Sequence, residues 1–73
     1  MSKVSQKVAN VFISQAYNWT HTHPDYRFGQ ALFNILPERV TDPIRGTHMD
    51  FFHDTNNQRA IKKFFDFCVD TAL

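Results

Sequence analysis

The 73 residues carry eight Lys or Arg against seven Asp or Glu, a formal net charge of +1 with the histidines neutral. Bulk charge therefore neither draws the chain to a polyanion nor lets it imitate one. One cysteine, Cys68, excludes an intramolecular disulfide, and no apolar run, Val11-Phe12-Ile13 included, approaches the roughly 20 residues a membrane helix needs.

A chain of this length makes one domain and buries only about 60% of its unfolded surface. Eight Phe, two Tyr and one Trp supply the large buried areas such a small core needs. The lone cysteine and the lack of a leader-like opening fit a cytoplasmic protein.

Val4, Val8, Val11, Phe12, Ala16 and Trp19 recur at helical spacing, which predicts an amphipathic helix over 4–19 with Ser2 as its cap. Pro24 suits the first position of a second helix, with Asp25 in its first turn. Tyr26, Phe28, Leu32, Phe33, Ile35 and Leu36 wrap that helix on more than one side, so it is expected to be the central one. Gly29 inside it costs roughly 1 kcal/mol against alanine, which is best explained by a second helix crossing closely over it.

Two short turns are expected between Pro37 and Gly46, burying Val40 and Ile44, because Pro43 cannot sit deep in a helix. Residues 49–53 read as an irregular plug of two aromatics. Asp54-Thr55-Asn56-Asn57 offers caps for a last helix whose apolar face is Ile61, Phe64, Phe65, Cys68 and Ala72. Period-two alternation is absent. The expected fold is all-α, a small irregular orthogonal bundle of about four helices with no sheet.

No catalytic set emerges. Cys68 lies on an apolar helix face, and there is neither a glycine-flanked serine elbow nor a phosphate-cradling loop. The expected class is a binding protein, without enzymatic activity and without a cofactor. Arg27, Gln30 and Asn34 share one side of the second helix, with Arg45, Asp50 and Asp54 as available partners. A network among them would pin residues 46–54 to that helix, and we read it as structural in the first place, ligand-binding in the second. Ile13 and Tyr17 on the first helix and Phe67 and Val69 on the last fall off the core stripes, so they are the expected protein-binding surface. Two rival readings use other residues. Arg59, Lys62 and Lys63 form a basic face that could meet nucleic acid, and His48, Asp50, His53 and Asp54 are close enough in sequence to hold a metal or a small ligand, though their spacing fixes no geometry.

The ordered blocks Arg27-Phe28-Gly29-Gln30-Ala31-Leu32-Phe33-Asn34-Ile35-Leu36, Ile44-Arg45-Gly46-Thr47 and Asp50-Phe51-Phe52-His53-Asp54 resemble short proteins of tailed bacteriophages and prophages. Their pattern runs R-x-G-Q-x-L-F-N, a short helix, R-G-T, then D-P-F-Y and a closing helix. The likeness covers residues 17–68 and departs from the pattern where Asp50-Phe51-Phe52-His53 replaces the proline and tyrosine. The family has no assigned activity to carry over. The resemblance implies a small phage accessory protein in the host cytoplasm that binds and inhibits or redirects a host protein; the apolar patch of Ile13, Tyr17, Phe67 and Val69 leaves a homodimer as a further option.

Overall fold

In the computed structural model, which describes residues 3–72, the first helix opens at Ser5. The Ser5 hydroxyl accepts a hydrogen bond from the Val8 amide at 3.3 Å, satisfying one of the orphan donors of the first turn. Helix α1 then runs Gln6–Thr22. The expected cap at Ser2 lies outside the described residues.

Just before α1, Val4–Ser5 (β1) pairs in parallel with Val69–Asp70 (β2), Val4 opposite Val69 and Ser5 opposite Asp70. The fold is mainly helical, as expected, but this minimal sheet corrects the expectation of none. Two residues per strand are too few to register as alternation. The pairing buries Val4 and Val69 together against the core while the ladder occupies backbone groups that burial would otherwise strand.

Helix α1 ends where His23 leaves helical geometry ahead of Pro24 (φ −130°, ψ 74°). Pro24 does not start a helix. It and Asp25 are the central residues of a turn closed by the Tyr26 amide on the His23 carbonyl at 3.0 Å, a position that suits the preset φ of proline. The reversal delays α2 to Phe28–Ile35, with Arg27 extended ahead of it. The short α3 spans Glu38–Thr41, and the chain turns on to Gly46, whose φ of +75° is one glycine adopts freely. Val40, Thr41 and Ile44 are buried on the way, close to expectation. Helix α4 spans Asn57–Cys68, capped by Asn56, whose side-chain oxygen accepts from the Arg59 amide at 3.0 Å.

Residues 47–56 are irregular yet held in place. The carboxylate of Asp50 accepts from the Gly46 amide at 2.8 Å and the Phe52 amide at 2.7 Å, so this segment is tied down from within. Phe51 is fully buried and meets Phe33 and Phe64 edge-on, with centroids 5.3 and 6.0 Å away. Phe52 is half-buried and packs against the core edge-on to Phe33 at 5.7 Å, so both aromatics reach the core and Phe51 is the one fully enclosed by it.

The largest departure concerns the orientation of α1. Its fully buried residues are Ala9 and Ala16, flanked by the partly buried Phe12 and Ile13. Val8, Val11 and Trp19, expected in the core, are 42%, 53% and 41% exposed. At about 100° per residue the buried face is rotated by roughly a quarter turn from the expected one. Two alanines seven residues apart let α1 approach its neighbours closely; the valines, bulkier at that distance, are left outside.

Candidate functional site

The rotation of α1 leaves a surface that the sequence pattern had assigned to the core. Val8, Val11, Gln15 and Trp19 follow one another at spacings of three, four and four and so share a side of the helix. No Asp, Glu, Lys or Arg occurs between Lys7 and Asp25, so the only formal charge beside this stripe is Lys7, four residues before Val11 at its N-terminal end.

At its C-terminal end the stripe meets a pocket of about 230 Å³ lined by Trp19, Tyr26, Ala31, Asn34 and Ile35. Three local features build it. Trp19 sits in the last turns of α1. The Pro24-Asp25 turn brings Tyr26 back beside it. Ala31, Asn34 and Ile35, three and four apart on α2, form the remaining wall.

The aromatic side of this pocket is ordered by ring contacts. The His23 ring stacks on Trp19 with centroids 3.7 Å apart and planes within 6°. Tyr26 stands edge-on to both, 5.8 Å from Trp19 and 6.0 Å from His23. The Nδ1 of His23 lies 3.2 Å from the Trp19 carbonyl oxygen and 2.9 Å from the Thr22 hydroxyl, which itself donates to that carbonyl at 3.1 Å. The same cap that ends the helix therefore holds the imidazole over the indole.

The residues expected to form a protein-binding patch are dispersed. Val69 is buried in the β1–β2 pairing, contrary to the expectation of an exposed side chain, because the helix stops at Cys68 and the strand geometry turns Val69 inward. Ile13 and Phe67 are partly buried against the core, Phe67 with its ring edge-on to His48 at 6.0 Å. Tyr17 is exposed, with one side on Phe28 at 4.5 Å.

The expected polar network does not form. Among the described residues no side-chain hydrogen bond joins Arg27, Gln30 or Asn34 to residues 46–54. Arg45 instead lies 5.1 Å from the Phe33 ring centroid and 3.5 Å from the Asp42 carboxylate. Asp50 caps its own loop. Asp54 has a different function in the fold: its buried carboxylate takes both oxygens to the Arg59 Nε at 2.9 Å, with Arg59 Nη2 at 2.8 Å and Lys63 Nζ at 3.4 Å. The Arg59 hydrogen bonds, with smaller help from the Asn56 amide and Lys63, hold the Asp54 carboxyl down at about 2 against the burial that opposes them.

That clamp also changes the basic face. Arg59 and Lys63 are engaged by Asp54, and Lys62 pairs with Asp66 at 2.7 Å. The histidines are equally scattered, His48 against Phe67 and His53 against Phe52. Among the described residues no three His, Cys, Asp or Glu side chains gather as a metal-holding group. Burial pushes the Cys68 thiol up to about 11, so it stays protonated and acts as a small apolar side chain.

Sequence reasoning missed the pocket because Trp19 fitted the apolar period of α1 and Tyr26 that of α2. The available signal was the H-x-H-P-D-Y string itself, a turn flanked by aromatics. Among the described residues no helix is long and apolar enough to cross a membrane. Compared with protein-family models, with curated proteins and with solved structures, the chain gives no match in any of the three.

Proposed function

We propose that this is a small phage-encoded accessory protein that binds a host protein through the Val8, Val11 and Trp19 face of α1 and the aromatic pocket at its end. One observation carries the reading: Trp19 is 41% exposed although His23 stacks on its ring and Tyr26 stands edge-on to it. An exposed, pre-positioned tryptophan offers a large contact area with little side-chain entropy left to lose, the property that makes tryptophan prominent at interface centres. Val8 and Val11 extend the apolar surface along the helix, and the Asn, Gln and Ser residues around them supply a polar rim. The phage context and the host partner rest on the resemblance of residues 17–68 to short phage proteins.

The test is a paired capture from host extract with the wild-type chain and with Val11→Glu. A partner recovered at stoichiometric amounts by the wild type and lost with the variant, at equal thermal stability, supports the reading. Equal recovery by both removes the α1 face from the account.

A further inference from the structure

We infer that the α1–α2 pocket receives one neutral aromatic side chain of a partner protein, a phenol or an indole, with Asn34 bonding to its polar edge. The inference deepens the reading above and depends on it only for the source of the ring.

Size comes first. A pocket of about 230 Å³ exceeds the roughly 150 Å³ void that accepts benzene, yet falls below the roughly 300 Å³ at which drug-sized ligands begin to fit. One ring or a fused pair fills it, while a nucleotide or an extended cofactor overfills it.

Charge comes second. Trp19, Tyr26, Ala31, Asn34 and Ile35 line the pocket, with no Asp, Glu, Lys, Arg or His among them. A carboxylate would find no cation on these walls. A bare cation would find the rings, but one face of Trp19 is already covered by His23, and no acidic side chain lines the space. A neutral ring loses the least hydration on entering.

The third argument is the single polar wall. Among the described residues the exposed Asn34 side chain makes no hydrogen bond within the molecule. Its amide therefore offers both a donor and an acceptor at the edge of an otherwise apolar pocket. A phenolic hydroxyl uses both, and an indole N–H uses the acceptor. A plain hydrocarbon ring uses neither.

The decisive experiment titrates the whole chain with p-cresol, 3-methylindole, toluene and tetramethylammonium. Backbone and ring resonances of Tyr26, Asn34 and Ile35 report occupancy, and Trp19, the single tryptophan of the chain, reports the non-fluorescent probes by its emission. The expected result is saturable binding of p-cresol and 3-methylindole with Kd on the order of 1 mM, as for ligands of under a dozen heavy atoms. Toluene is expected to bind at least several-fold more weakly, and tetramethylammonium to leave the spectra unchanged. In Asn34→Leu, an exposed position where folding is not at stake, the advantage of p-cresol over toluene disappears.

Tetramethylammonium binding more tightly than p-cresol would overturn the inference, as would p-cresol and toluene binding alike in the wild type. If no probe shifts the pocket while Val11→Glu still abolishes capture, the pocket inference falls and the α1 reading stands. If the aromatic probes bind while Val11→Glu captures the partner normally, the α1 reading falls and the pocket remains a site for a free aromatic compound.

Discussion

Gly29 and Ala60 meet where α2 crosses α4: a Cβ built on Gly29 would stand 3.4 Å from the Ala60 Cβ and would run into the carbonyl oxygen of Phe51. The close approach expected over this glycine is therefore made by the 51–54 backbone together with a second small residue on α4. Gly29→Ala should destabilise the fold despite its better helix propensity, because backbone rather than a flexible side chain must yield. Gly29→Leu should cost more than about 2 kcal/mol. Urea denaturation checks both, and a midpoint at or above that of the wild type for either would refute the contact.

The Asp54 clamp sets the acid limb of stability. Its carboxyl is held at about 2 in the folded chain against an ordinary value of 3.8. A depressed folded value stabilises the fold above the unfolded pKa, and that contribution drains away as pH falls from about 4 through 2. Asp54→Asn should cost on the order of 1–3 kcal/mol at neutral pH, since it removes the negative charge and turns one of the two acceptor oxygens shared by Arg59 and Lys63 into a donor. It should also flatten the loss of stability between pH 4 and 2. Denaturation midpoints of both chains across that range are the measurement.

The two faces of α1 should respond in opposite ways. Val8→Glu and Val11→Glu replace exposed side chains and should change stability by no more than about 0.5 kcal/mol. Ala9→Leu and Ala16→Leu insert bulk at fully buried positions and should cost about 1–3 kcal/mol each. The reverse ranking by thermal melting would restore the face that the apolar spacing alone suggests.

Much of the chain was legible from its punctuation. Asn56, Pro37, Gly46 and the Phe64 and Cys68 part of the expected α4 face act through local chemistry: a cap, a helix stop, a positive φ, an apolar period; Ala60, not expected there, is buried beside them, and Ala72 lies exposed beyond the end of the helix. What was not legible depends on partners far away in sequence. Ala9 and Ala16 are core because of the side on which α1 packs against the rest of the chain, and alanine carries too weak an apolar signal to outweigh Val8, Val11 and Trp19. The Arg59–Asp54 clamp lay hidden because a basic helix face looks the same whether its carboxylate is buried beneath it or absent. The pocket arises only when the Pro24-Asp25 turn folds Tyr26 back toward Trp19, which no periodicity contains.

Val69 provides a test of the terminal pairing. Since its side chain is buried against the core opposite Val4, Val69→Ala should lower stability by about 1.5 kcal/mol, at about 0.8 kcal/mol for each buried methyl-sized group. An unchanged midpoint would return Val69 to the surface, where the apolar pattern of the last helix first placed it.

The central claim, that the α1 face recognises the partner, is tested most directly by site-specific photocrosslinking in host cells. A photoreactive residue is placed in turn at Val8, Val11 and Tyr26, and at Gln58, Lys62 and His53 on the opposite elements. One common crosslinked host protein is expected from the first three positions and none from the last three. Crosslinks arising from Gln58, Lys62 or His53, with Val8 and Val11 silent, would contradict it.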